Sequence, residues 1–114
     1  MQEHVYPVPT PELSRHRREL APEVDKAFHE FSKAVFADGA LPGKLKQLIA
    51  VAVAHTTQCP YCIRGHTLAA LRDGASEREI MEAIWVAAEM RAGGAFAHAA
   101  IALDAMAEKA AHRP

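Results

Sequence analysis

The sequence predicts an all-α fold, and three observations lead to that prediction. Apolar side chains recur at three- and four-residue spacing in several segments, and Pro, Gly and capping residues separate those segments. No stretch alternates β-branched with polar residues, and no hairpin turn signal is present. Alanine, the strongest helix former, supplies 24 of the 114 residues. We therefore expect a bundle of about six helices forming one domain over residues 10–114, after an extended arm over residues 1–9.

The first half of the chain is expected to contain three helices. Thr10 followed by Pro11 is a typical helix start, with a capping hydroxyl and a proline in the first turn. Two further helices each follow a proline and end at a turn signal. The third is apolar almost all round, so we expect it to lie at the centre of the bundle. The predicted spans are 10–20, 22–38 and 45–54.

The second half is expected to contain three more helices. Gly74 suits the left-handed position that follows a helix end. Ser76 and Glu79 have the spacing of a capping box, which opens the next helix. The Gly93-Gly94 pair is expected to break that helix, so that a separate last helix follows. The predicted spans are 59–72, 76–91 and 96–111.

Alanine is concentrated near the end of the chain, where 13 of the 24 lie between residues 83 and 111. Small side chains let helix backbones approach closely. A chain of this size buries little core by itself, so we expect this face to be buried between subunits of a homo-oligomer. The alternative is an ordinary alanine-rich surface helix, which propensity alone would favour.

Composition excludes several functional classes. Thirteen basic and fourteen acidic residues give a net charge of −1, which provides no field to attract nucleic acid or an anionic membrane. The longest strongly apolar run, residues 48–54, is far shorter than the ~20 residues of a membrane span. The N-terminus has no basic region followed by an apolar run, and the two cysteines are too close together to staple a secreted fold. We expect a cytoplasmic protein.

The segment with the clearest chemistry is Cys59-x2-Cys62-x3-His66. On a helix starting near Cys59, these three side chains project from one stripe. The positive end of the helix stabilises a thiolate in its first turn, and a neighbouring imidazole accepts the thiol proton. A second thiol one turn away resolves a sulfenic acid or a mixed disulfide into an internal disulfide. The helix position favours Cys59 as the nucleophile, whereas Cys62 is the cysteine one turn from His66.

The same residues allow three other interpretations. The cysteines could be small buried apolar side chains without chemistry. His55, Cys59, Cys62 and His66 supply the four ligands of a tetrahedral zinc site, which would make the protein a zinc-binding or redox-sensing assembly module. Cys-Pro-Tyr-Cys is also the glutaredoxin tetrapeptide, but that fold needs an alternation of strands and helices that this sequence does not have.

The order of these features resembles the carboxymuconolactone decarboxylase superfamily, and its branch of AhpD-like alkylhydroperoxidases in particular. The resemblance covers about four-fifths of the chain, residues 21–100. It rests on Leu41-Pro-Gly-Lys-Leu-Lys-Gln-Leu-Ile-Ala-Val-Ala-Val-Ala, on Cys59-x2-Cys62-x3-His66-Thr and on the Gly93-Gly94 pair.

The resemblance implies an all-helical, AhpD-like bundle that assembles into homotrimers or homohexamers. It implies thiol-dependent reduction of hydroperoxides, in which Cys59 and Cys62 cycle between dithiol and disulfide with help from His66, and it favours Cys62 as the attacking thiol. No cofactor or metal is implied, and no nucleotide or flavin motif is visible. We therefore expect an external protein or dithiol to supply the electrons. A carboxymuconolactone-type decarboxylase that needs no cofactor is the alternative within the superfamily, although a cysteine pair has no obvious role in that reaction.

One residue departs from the family pattern. The family has a glutamate twelve residues before the first cysteine, in a proton relay with the histidine, and this chain has Gln47 there. Glutamine orients a partner through hydrogen bonds but carries neither a charge nor a transferable proton. His55, two helical turns after Gln47, and Glu89, a carboxylate in an apolar stretch, are candidates for the missing relay group. A salt bridge or a solvated helix edge is the alternative role for Glu89.

Overall fold

The computed structural model describes residues 5–112, and within them it contains five helices and no strand. The predicted all-α class is therefore confirmed. Residues 1–4 of the predicted arm lie outside the described residues, and residues 5–9 are not helical. None of the helices in residues 5–112 has both the length and the apolar character needed to cross a lipid bilayer. The helices are α1 (Pro11–Leu20), α2 (Pro22–Phe36), α3 (Gly43–Thr57), α4 (Pro60–Arg72) and α5 (Glu77–Ala111).

The predicted break at Gly93-Gly94 is wrong, because α5 runs through both glycines as one helix of 35 residues. Each glycine costs about 1 kcal/mol relative to alanine in a helix interior. The many flanking alanines offset that cost, so the glycines lower helix propensity without ending the helix. The Glu89 carboxylate lies alongside Gly93, 3.4 Å from the position that a Cβ would occupy there. The predicted sixth helix is thus the C-terminal half of α5.

The helix ends are built by the residues that the sequence indicated. The Leu13 N–H donates to Thr10 Oγ1 at 3.2 Å, which caps α1. The capping box of α5 is complete, since the Glu79 N–H donates to Ser76 Oγ at 3.0 Å and the Ser76 N–H donates to Glu79 Oε1 at 2.9 Å. Gly74 adopts a φ of +93° after α4, a backbone conformation that residues with a Cβ rarely adopt.

The chain divides into two compact units. Helices α1 and α2 belong to the first unit, which ends at Ala37, and neither helix contains a buried residue. Helices α3, α4 and α5 belong to the second unit, in which α3 packs against both α4 and α5. Helix α3 therefore occupies the centre of this unit, as its apolar surface predicts. The second unit's core consists of Val51, Ala70, Ala75 and Ile80, with Leu48 and Ile84 packed against them.

An ion pair joins the beginnings of α3 and α5. Lys44 Nζ lies 3.0 Å from Glu79 Oε2. The pKa of the Glu79 carboxyl is held below its ordinary value of 4.5, first by the hydrogen bond from the Ser76 backbone and then by Lys44. A carboxyl group with a lowered folded-state pKa stabilises the fold above its unfolded pKa, and that contribution is lost as the pH falls through the folded value.

Replacement of Glu79 by glutamine is therefore expected to make the unfolding free energy less dependent on pH in the acidic range. Glutamine keeps the hydrogen bonds of a capping box but loses the charge. Urea unfolding at a series of pH values should show the unfolding free energy of the wild type falling more steeply below pH 4.5 than that of Glu79→Gln. Glu77→Gln, in the same helical turn, is the control and should follow the wild type. Equal slopes for wild type and Glu79→Gln would contradict the prediction.

Candidate functional site

The cysteine pair lies where α3 ends and α4 begins. Gln58, the residue after α3, adopts a left-handed conformation with φ 56° and ψ 48°, and its N–H donates to the Ala54 carbonyl. The Cys59 N–H donates to the same carbonyl at 3.2 Å. These two hydrogen bonds close α3 and reverse the chain within two residues. As a result, Cys59 becomes the N-cap of α4, and the helix itself starts at Pro60, one residue later than predicted.

The two cysteines are bonded to each other in a disulfide. Their Cα atoms are 5.2 Å apart, and both side chains are half-buried. The Cys62 N–H donates to Cys59 Sγ at 3.2 Å, so a sulfur atom holds the capping position at the positive end of α4. An amide donor and a helix dipole directed at this sulfur stabilise a negative charge on it when the disulfide is reduced. The site is thus arranged to hold a thiolate.

The hydrogen bond between His66 and Gln47 connects α4 to α3. His66 Nδ1 lies 2.8 Å from Gln47 Oε1, although the two residues are 19 positions apart in the chain. Gln47 is buried, with 7% of its surface exposed, and His66 is half-buried. Since an amide oxygen only accepts, Nδ1 is the protonated nitrogen in this contact. In the neutral ring Nε2 is then the basic nitrogen, and Gln47 fixes that tautomer.

The other two relay candidates are not joined to this pair. His55 Nδ1 hydrogen-bonds with the Val51 carbonyl one turn back on α3, at 2.7 Å. Glu89 is exposed and lies along α5 beside Gly93. Within residues 5–112, neither His55 nor Glu89 makes a hydrogen bond or an ion pair with His66 or with a cysteine. Among the three relay candidates, all of them in the described part of the chain, Gln47 is the one that the structure joins to His66 by a hydrogen bond.

The predicted zinc ligands do not form a metal site. Among the described residues, no group of three or more His, Cys, Asp and Glu side chains is placed to hold a metal ion. The physical reason lies in the partners of the four side chains: Cys59 and Cys62 bond to each other, and His55 and His66 are each engaged on different parts of α3. The zinc-binding alternative is therefore not supported by the geometry.

Sequence reasoning missed Arg91, which reaches the cysteine-bearing turn from α5. Its guanidinium donates a hydrogen bond through Nη1 to the backbone carbonyl of Thr56, in the last turn of α3. The contact joins residues 35 positions apart, so no local spacing signals it. In the sequence, Arg91 is one polar residue in an alanine-rich helix and is indistinguishable from a solvated side chain.

Comparison with known proteins places these features in a family. The model of the carboxymuconolactone decarboxylase family matches residues 22–105, which include α2, α3, α4 and most of α5. An uncharacterized protein encoded in the cox locus of Paracoccus denitrificans is 65% identical over 85 residues, which cover 75% of this chain and 77% of that protein.

Solved structures give the same family. A carboxymuconolactone decarboxylase family protein from Legionella pneumophila is 37% identical with a TM-score of 0.65, over 85% of this chain and 86% of that chain. A family member from Thermotoga maritima, with a suggested involvement in the antioxidative response, is 34% identical with a TM-score of 0.54. That similarity covers 57% of this chain and 67% of the Thermotoga chain.

Proposed function

Because the chain belongs to the carboxymuconolactone decarboxylase family, we propose that it is an AhpD-like thiol peroxidase and disulfide oxidoreductase. The observation that carries the proposal is that a cysteine pair and a hydrogen-bonded histidine occupy the N-cap and the first two turns of one helix. A cysteine pair stands at the start of α4, and His66, on the same helix, is held in a defined tautomer by Gln47. The antioxidative involvement suggested for the Thermotoga relative agrees with this chemistry.

The reaction begins from the reduced pair. His66 Nε2 takes the proton of the Cys62 thiol, and the thiolate attacks the terminal oxygen of a hydroperoxide ROOH. The S–O bond forms and the O–O bond breaks, so that the alkoxide leaves and takes the proton back from His66 as the alcohol ROH. Cys62 is now a sulfenic acid, two electrons having passed from sulfur to the peroxide. We assign the attack to Cys62 because His66 lies one helical turn after it. The Cys59 sulfur, which accepts the Cys62 N–H at the positive end of α4, is assigned to the second step.

Cys59 completes the cycle. Its sulfur attacks the Cys62 sulfenic sulfur, the S–S bond forms, and hydroxide leaves with the Cys59 proton as water. The short distance between the two Cα atoms, 5.2 Å, is within the range that a disulfide requires. An external protein dithiol or a small dithiol then reduces the disulfide by thiol–disulfide exchange. The proposed location of this cycle, the cytoplasm, stays a prediction.

A thiol titration tests the function directly. The fully reduced protein should lose two thiols per chain on addition of one equivalent of an alkyl hydroperoxide, and a dithiol should restore both. The count is unambiguous because the chain contains two cysteines in total. A protein that keeps both thiols after exposure to the peroxide would contradict the proposal and would favour the decarboxylase alternative, in which thiols have no part.

We also propose that the protein is a homotrimer or homohexamer. Trp85, Met90, Phe96 and Ile101 of α5 each expose about two-thirds or more of their surface. So many large apolar side chains exposed on one helix are unusual for a monomer, and further copies of the chain would cover them with like side chains. Light scattering should therefore give three or six times 12.4 kDa. A Phe96→Glu variant should dissociate, whereas Glu82→Gln on the same helix should not; a monomeric wild type would contradict the proposal.

A further inference from the structure

We propose that Arg91 is a positioning residue for the cysteine pair: it neutralises the negative end of α3 and so stabilises the reduced, thiolate form of the pair. The inference rests on the proposed redox function of Cys59 and Cys62. It assigns to an α5 side chain a role in setting how easily the disulfide is reduced.

The negative end of α3 lies directly before the cysteine turn. The last four carbonyls of any helix have no partner within the helix and together form its negative end. In α3, the Ala54 carbonyl accepts from the N–H groups of Gln58 and Cys59. The Thr56 carbonyl accepts instead from Arg91, a side chain from another helix that carries a positive charge.

The positive charge of Arg91 is bound three residues before the first cysteine of the pair. Thr56 precedes Cys59 by three residues, which limits their Cα separation to about 11 Å at most. Two opposing dipole ends meet at the pair: the positive end of α4 favours a thiolate at Cys59 or Cys62, and the negative end of α3 disfavours it. A cation on the Thr56 carbonyl weakens the destabilisation of the thiolate by the negative end of α3. Because the dithiol form is stabilised when its thiolate is stabilised, Arg91 makes the disulfide easier to reduce.

The equilibrium with glutathione measures this effect. In the exchange, the Cys59–Cys62 bond breaks, two glutathione molecules supply two electrons and two protons, and one glutathione disulfide forms. Arg91→Gln keeps an N–H donor for the Thr56 carbonyl but removes the charge. We expect its equilibrium to move about three- to tenfold toward the protein disulfide, equivalent to about 15–30 mV at 30 mV per tenfold change. The reduced cysteine pair of Arg91→Gln should also need a higher pH than the wild-type pair to react with an alkylating agent.

Matched variants separate charge from other effects. Arg91→Lys keeps the charge and should stay within about twofold of the wild type, whereas Arg78→Gln, an exposed arginine elsewhere on α5, changes the net charge equally and should have no effect. If Arg91→Gln does not fold, Arg91→Met provides the same comparison with a similar aliphatic stem. The difference between Arg91→Gln and the wild type should shrink at high salt, which screens partly exposed charges.

The outcomes are distinct. An unchanged equilibrium in the folded Arg91→Gln or Arg91→Met variant, or an equal shift in Arg78→Gln, would overturn the role of Arg91 while leaving the proposed function intact. A wild-type pair that glutathione cannot cycle between disulfide and dithiol would instead overturn the proposed function itself.

Discussion

Replacement of Cys62 by serine is expected to lower the rate of hydroperoxide reduction at least about a thousandfold, because serine at neutral pH supplies no thiolate to attack the peroxide. Replacement of Cys59 by serine should have a different consequence. Cys62 can still react once, but its sulfenic acid has no partner thiol in the chain, so without an external thiol the reaction stops after one equivalent, and with a dithiol donor it turns over more slowly than in the wild type.

Steady-state peroxide consumption with a dithiol donor, combined with intact-mass analysis, distinguishes the two variants. Cys59→Ser should gain one oxygen atom after one equivalent of peroxide, whereas Cys62→Ser should keep its mass. If the masses show the opposite order, Cys59 is the attacking residue and our assignment of Cys62 is wrong. The double variant, which has no cysteine left, serves as the blank. Full turnover in both single variants would contradict the thiol mechanism altogether.

The second large effect is expected from Gln47→Glu, which should raise the rate of peroxide reduction about tenfold or more. Gln47 already contacts His66 Nδ1 at 2.8 Å, so a carboxylate of nearly the same shape would accept the same hydrogen bond. Unlike the amide, it stabilises the protonated imidazole and exchanges a proton with it, as general acid–base catalysis requires. Placing a buried carboxylate there costs stability unless His66 carries the compensating charge.

Three comparisons make the Gln47 experiment decisive. Gln47→Leu removes the hydrogen bond and should lower the rate, because His66 loses the contact that fixes its tautomer. Glu89→Gln should leave the rate unchanged, since Glu89 lies beside Gly93 and is not joined to His66. The advantage of Gln47→Glu over the wild type should disappear at acidic pH, where the introduced carboxylate is protonated and no longer stabilises the imidazolium. No rate gain in Gln47→Glu, together with a large loss in Glu89→Gln, would transfer the acid role to Glu89.

Most of the fold follows from local sequence signals, and the errors have local causes as well. Capping residues and prolines act within one helical turn, so Thr10, Ser76 and Gly74 were sufficient to place the ends of three helices. The Gly93-Gly94 pair misled because a helix boundary depends on summed propensity over many residues, and alanines on both sides outweigh two glycines.

The site was only partly predictable for a different reason. Cys59, Cys62 and His66 are close together in the sequence. Cys62 and His66 lie on α4, and Cys59 is the N-cap of the same helix. The contacts of that helix with the rest of the unit are not local: Gln47 reaches His66 across 19 residues and Arg91 reaches Thr56 across 35. The first was suggested by family resemblance alone, and the second had no sequence signal, because pairings at such distances depend on how helices pack.

The uninterrupted course of α5 has a consequence for how this protein responds to dilution. At 1.5 Å per residue, its 35 residues extend about 50 Å, whereas α3 and α4, its partners in the second unit, extend about 20 Å each. Both buried residues of α5, Ile80 and Ala87, lie in its first third, so within the described residues the remaining length of α5 buries no side chain. In the proposed assembly, other copies of the chain cover this remaining length of α5. The folding free energy then contains a term that depends on protein concentration. If the proposed assembly forms, the length of one helix links folding of the single chain to the abundance of the protein.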